Sequence, residues 1–227
     1  MLTIVITEIC NCIMADEIVV SFHNSLLRES DVSLLDGPRW LNDKLIGFAF
    51  EYFEHTAFAG KVDNIAIISP EVTQFIKLSA ESEIGVFVNP LDLPQKDYIF
   101  LAVNNNSSYS SVGGSHWSLL VFSKEDQSFM HFDPLHKSNA QDAKQLVLQL
   151  QPLVTDTGMA NYVEMSCPQQ ENGYDCGMFV LCFTEYLLGK FMNAEKLSMA
   201  SMSKEITQRK VSEKRIELKW IIQDMTG

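Results

Sequence analysis

Gln170-Glu171-Asn172-Gly173-Tyr174-Asp175-Cys176-Gly177 closes a polar, turn-forming run, and Met178-Phe179-Val180-Leu181 opens a long apolar one. The thiol at that boundary stands in the first turn of a predicted helix. Unpaired backbone N–H groups and the helix macrodipole favour a thiolate there, the reactive form of cysteine. Gly177 has no side chain, which leaves a substrate carbonyl room beside the sulfur. The competing description is a small buried hydrophobe, the usual state of a free cysteine. Cys182, inside the apolar run, and Cys167, in a Ser-Cys-Pro turn, fit that description.

A thiol nucleophile needs a base, and the base needs an orienter. His116 begins one predicted strand (His116 to Phe122), and Asp133 ends the next (Ser128 to Asp133), with Lys124-Glu125-Asp126-Gln127 turning between them. In an antiparallel hairpin those two positions meet at the same open end, where an imidazole can stand between a carboxylate and a thiol. His131 shares a strand face with Asp133 and competes for the role, but it lies inside the strand rather than at its mouth. His23, His55 and His136 have no comparable setting. Gln170, in the polar loop before the cysteine, has an amide that can donate to an oxyanion beside the Cys176 N–H.

The remaining elements must carry these residues. Ile18 to Phe22 reads as a strand. Asn42 is a candidate N-cap for an apolar helix from Lys44 to Phe53, and Asn64 to Ile68 is a strand. Ser69-Pro70 starts another helix, with the cap and first-turn proline in their preferred places. Tyr98 to Val103 is a buried strand, and Asn104 to Gly114 is a polar loop suited to close over a bound chain end. Asn139 to Leu153 is an amphipathic helix, Asn161 to Met165 a strand, Asp175 to Leu188 a buried helix, and Glu213 to Met225 a terminal helix. The mixture is α+β: a central mixed or antiparallel sheet flanked by helices. One domain is expected from residue 16 to 227, after an apolar extension that lacks the basic region of a secretion signal. Met14 is an alternative start.

The 227 residues are 46% hydrophobic and 20% charged, with 17 Lys+Arg against 29 Asp+Glu, a formal charge of −12. Such a surface disfavours nucleic acid and anionic membrane and favours basic partners. No stretch approaches the roughly 20 apolar residues of a membrane span. The five cysteines are odd in number and form no disulfide framework, which fits a reducing compartment, cytoplasmic or nuclear. Cys10-x-Cys12 lacks a second pair of zinc ligands, so neither metal nor cofactor is expected.

Taken together, Trp40-Leu41-Asn42-Asp43, His116-Trp117, Asp133 and Gln170 through Gly177 resemble the Ulp / sentrin-specific cysteine proteases, which process ubiquitin-like modifiers. The resemblance runs from about Asp16 almost to the C-terminus and is weakest after Met192. SLLRESDVSLLD, WLNDKLIGFAFEYF, ISPEVTQFIK, PLDLP and GGSHWSLLVF lie nearest the family's deneddylase branch. The resemblance implies a papain-like core with the triad in chain order His116, Asp133, Cys176, and Gln170 as oxyanion donor. It also implies that Trp40 and Trp117 close a narrow tunnel over the modifier's Gly-Gly tail, with Asp43 and Gly177 at its rim. Only glycine is thin enough for such a tunnel, and flat indoles can clamp its backbone.

The expected activity is cleavage after the C-terminal Gly-Gly of the neddylation modifier. It would mature the precursor and release the modifier from conjugates such as cullins, with the enzyme acting as a monomer. Three other functions compete. The same chemistry serves the sentrin-type modifier. An acyltransferase on a related fold needs a donor pocket, for which no basic or glycine-rich phosphate-binding stretch is present. A non-catalytic binding module is at odds with the intact constellation.

Overall fold

The computed structural model describes residues 16–108, 113–155 and 157–226. The 1–15 extension, with Cys10, Cys12 and Met14, lies outside the described residues. Its centre is a five-stranded sheet in the order β3-β4-β5-β6-β7. The strands are β3 (Ile65–Ile68), β4 (Tyr98–Asn104), β5 (Trp117–Ser123), β6 (Ser128–Phe132) and β7 (Asn161–Glu164). The inner pairs, β4 with β5 and β5 with β6, are antiparallel, and the outer pairs are parallel.

Alternation along the strands divides the apolar residues between two cores. Phe100, Ala102, Leu119, Val121 and Phe132 face one side. There they pack on α2 (Asp43–Tyr52) and α6 (Cys176–Met192), and α8 (Gln208–Asp224) packs on α6 in the same core. Ile99, Leu101, Val103, Leu120 and Phe122 face the other. That side is covered by α3 (Pro70–Leu78), α4 (Glu81–Val88) and α5 (Ala140–Val154). A separate hairpin, β1 (Ile18–Phe22) and β2 (Ser25–Arg28), leads through the short α1 (Glu29–Val32) into this body. A further short helix, α7 (Met199–Glu205), precedes α8.

The predicted caps are in place. Asn42 accepts from the Leu45 N–H at 3.0 Å, and Ser69 accepts from Val72 at 3.3 Å. Three readings shift. β2 was not expected, because its turn uses His23 at φ +48° rather than a glycine. His116 and Asp133 each fall one residue outside their strands. The terminal helix begins at Gln208, not Glu213, with Thr207 capping it through the Lys210 N–H. Among the described residues no helix is long and apolar enough to cross a membrane.

Candidate active site

β5 and β6 deliver a histidine and an aspartate at their mouth, and the first turn of α6 delivers a cysteine. His116 Nε2 donates to Asp133 Oδ1 at 2.6 Å, with both side chains buried. The Cys176 side chain interacts with the same imidazole and raises its pKa. With Nε2 engaged by Asp133, Nδ1 is the nitrogen left for it. Asp133 is held in turn by two backbone donors, Leu135 N–H on Oδ1 and Asn139 N–H on Oδ2, each at 2.8 Å.

The electrostatics follow from these bonds. Burial opposes the imidazolium form of His116. Hydrogen bonds to Asp133 and Cys176, together with their charges, outweigh it and raise the pKa from 6.5 to about 9. Burial would likewise raise the Asp133 carboxyl, but the bonds from His116, Asn139 and Leu135 hold it below the usual range. Cys167 and Cys182 behave differently: burial pushes each thiol up to about 12. They are inert core thiols, as their sequence settings imply.

His131 is fully buried and has partners on both ring nitrogens. Nδ1 lies 3.0 Å from Glu164 Oε2 and 3.0 Å from the Tyr162 hydroxyl, and Nε2 lies 2.9 Å from Ser118 Oγ. This occupancy removes it as a rival base. Gln170 lies in the loop before Cys176, its backbone N–H on the Pro134 carbonyl at 2.9 Å. Its Nε2 donates to the Asn172 carbonyl at 2.6 Å, and the second amide hydrogen remains for an oxyanion.

Gly177 has a different role from the one its sequence position implies. A Cβ there would stand 3.0 Å from Leu41 Cβ and 3.3 Å from Leu41 Cγ. The missing side chain makes room for Leu41 in the core, not for a substrate carbonyl. The two tryptophans flank that same leucine. Trp117 Nε1 donates to the Leu41 carbonyl at 3.0 Å, and Trp40 Nε1 donates to the Gly173 carbonyl at 2.6 Å. Trp40, Asp43 and Trp117 line one groove of about 780 Å³, with Phe75, Asn104 and Gly114 on its far wall.

Asn104 and Gly114 belong to the 104–114 loop, of which residues 109–112 lie outside the described residues. Gly114 sits at φ +84°, and a Cβ would collide with the Asn104 side chain, so the loop requires glycine there. The wall is anchored from below by Lys77, which is 1% exposed. Its ammonium donates to the carbonyls of Asn104 and Asn106 and to Asp142 Oδ1.

Two buried polar side chains beside the site escape the sequence reading. Asn139 is fully buried, and its side-chain amide reaches the carbonyls of Val103 and His116 and the Ser118 hydroxyl. Its place at the start of a predicted helix was the one available signal. Arg215 pairs with Asp175 at 2.7 Å from a helix whose sequence marks it only as amphipathic.

A family model described as the Ulp1 protease family, C-terminal catalytic domain, matches residues 39–224. Sentrin-specific protease 8 of Homo sapiens is 46% identical over 209 residues, covering 91% of this chain and 97% of that protein. NEDD8-specific protease 1 of Arabidopsis thaliana is 35% identical over 199 residues, 84% of this chain and 86% of that protein. Among solved structures, the C-terminal Ulp1 protease domain in complex with Smt3, the yeast orthologue of SUMO, superposes with a TM-score of 0.70 at 18% identity. That match covers 92% of this chain and 88% of the other.

Proposed function

The chain belongs to the Ulp1 protease family and is a cysteine-type protease, and from that premise we propose that it cleaves after the C-terminal Gly-Gly of the modifier NEDD8. The observation that carries this reading is His116 standing between the Cys176 thiol and the Asp133 carboxylate, beside a groove that holds Trp40 and Trp117. The relatives named as NEDD8-specific proteases support the choice of modifier. Precursor maturation and release of the modifier from conjugates, cullins among them, are the activities we assign. A monomer working in the cytoplasm or nucleus fits the assignment.

In this mechanism the tail lies in the groove, with Trp40 and Trp117 against its glycines. Cys176 Sγ, deprotonated by His116, attacks the glycine carbonyl carbon. The carbonyl π electrons move onto oxygen, where the Cys176 N–H and the Gln170 amide receive them. The tetrahedral centre collapses, the C–N bond breaks, and His116 gives its proton to the leaving amine. Water, deprotonated by His116, then attacks the thioester and frees the thiol. Asp133 keeps Nε2 occupied throughout, so Nδ1 faces the sulfur.

The test is a panel of modifiers bearing a C-terminal electrophile. NEDD8 is expected to label Cys176 faster than SUMO, and Cys176→Ala is expected to bind NEDD8 without hydrolysing it. Preferential labelling by SUMO would transfer the assignment to the sentrin-type modifier. Failure of both, or hydrolysis by Cys176→Ala, would remove it.

A further inference from the structure

The loop leading to Cys176 is braced from the far end of the chain. Arg215, on α8, is 7% exposed although charged. Its Nη2 donates to Asp175 Oδ1 at 2.7 Å and to the Arg39 carbonyl at 3.1 Å, and its Nη1 donates to the Leu34 carbonyl at 2.9 Å. Gln208, in the first turn of the same helix, adds a second brace. Its Nε2 donates to Asp175 Oδ2 at 2.8 Å, and its Oε1 accepts the Glu171 N–H at 3.1 Å.

The anchor points are the informative part. Asp175 immediately precedes Cys176, and Arg39 immediately precedes Trp40. One planar guanidinium therefore ties the wall that carries the nucleophile to the wall that carries the exposed indole. Between those walls runs the 170–175 loop, which holds the Gln170 amide and the Gly173 carbonyl that receives Trp40 Nε1. A lysine would restore the charge but not the planar two-nitrogen fork that distributes these bonds.

We propose that Arg215 is a positioning residue for the reaction, setting the 170–175 loop and Trp40 in register with the thiol, with Gln208 as its uncharged partner. This inference rests on the reading of Cys176 as nucleophile and Gln170 as oxyanion donor. Without Arg215, the Asp175 carboxylate, 2% exposed, keeps neutral donors from Asn172 and Gln208 but loses its counter-charge. A buried carboxylate in that state moves toward water. The loop moves with it, and an oxyanion donor tolerates little displacement.

The experiment compares wild type with Arg215→Met, Arg215→Lys and the double variant Arg215→Met/Asp175→Asn. Two rates are read for each: turnover of a NEDD8 C-terminal amide, and alkylation of Cys176 by iodoacetamide followed by peptide mass. Iodoacetamide needs the thiol and its imidazole but neither oxyanion donor nor groove. In Arg215→Met, amide kcat should fall about tenfold or more while alkylation stays within about twofold. Arg215→Lys should recover part of the loss. The double variant should recover more, because no buried charge is left unmatched.

Amide turnover equal to wild type would overturn the proposal. So would a parallel fall of both rates in every variant, which would make Arg215 a support of the fold alone. Should Arg215→Met not fold, Gln208→Ala leaves the ion pair intact and is read by the same two rates. It should lower kcat with alkylation unchanged, and two wild-type rates would again overturn the proposal. Wild-type turnover keeps the tests separate: its absence removes the proposed function, whereas active wild type with unaltered variants removes only the role of Arg215.

Discussion

At the scale of single residues, the site contrasts two buried histidines. His116 has Asp133 on one ring nitrogen and the Cys176 thiol acting on its titration, whereas His131 is saturated by Glu164, Tyr162 and Ser118. His116→Ala should therefore cost about 10²–10⁴-fold in kcat/KM. His131→Ala should leave turnover near wild type and cost about 1–3 kcal/mol of stability, by orphaning its buried partners. Parallel kinetics and denaturant titrations check both, and the reverse ranking would exchange their roles. The pKa of His116 sets a second expectation. It is 6.5 ordinarily and about 9 in the fold, so the folded protein binds this proton more tightly than the unfolded chain. The stabilisation is complete below 6.5 and is lost as pH rises through about 9. The imidazolium that protonates the leaving amine is lost over the same range. Activity and thermal stability should thus decline together on the alkaline side, and the stability component should vanish in His116→Ala. An alkaline decline in stability of equal size in that variant would place its origin elsewhere.

At the scale of elements, the chain announces its scaffold more clearly than its braces. Cap residues such as Asn42 and Ser69, and the apolar run of β4, predict their elements because the signals are local. The His116–Asp133 pairing was legible too, since hairpin geometry alone brings strand mouths together. What was illegible depends on distant neighbours. Arg215 meets Asp175 across 40 residues, and nothing in the composition of α8 marks that contact. Gly177 was legible as a glycine with a purpose, but its purpose, making room for Leu41, depends on how α6 packs beside the start of α2. Gly177→Ala should accordingly destabilise the protein by about 1–3 kcal/mol through overpacking. Pairing it with Leu41→Ala should cost less than the sum of the two single changes, because the smaller side chain relieves the clash. Strict additivity in chemical denaturation would show that the helix takes up the methyl group without pressing on Leu41.

At the scale of the whole molecule, the site hangs from the most deeply buried part of the fold. Every residue of β5 and β6 is buried, and α6 packs directly on that sheet. The β1–β2 hairpin pairs only with itself among the described strands and leaves Ile18 and Leu26 exposed. Native-state hydrogen exchange should therefore rank β5, β6 and α6 slowest and the hairpin among the fastest. Hairpin amides as slow as those of β5 would mean that the hairpin and the sheet open as one unit. With the expected ranking, the groups that align His116, Asp133 and Cys176 persist through the ordinary local openings of the chain.

The indoles give this molecule a built-in optical reporter. Three tryptophans are present: Trp117 is 8% exposed, Trp40 is 50% exposed at the groove, and Trp220 is 61% exposed on α8. A chain end seated in the groove would exclude water from Trp40 and leave Trp220 as it was. Replacing Trp220 with Phe would strip away the constant red-shifted background and leave emission from one buried and one half-buried ring. Occupancy of the groove should then appear as a blue shift, without any attached dye. Titrating Trp220→Phe/Cys176→Ala with uncleaved modifier would read tail binding in isolation from chemistry, and an unmoved spectrum at saturation would place the tail away from Trp40.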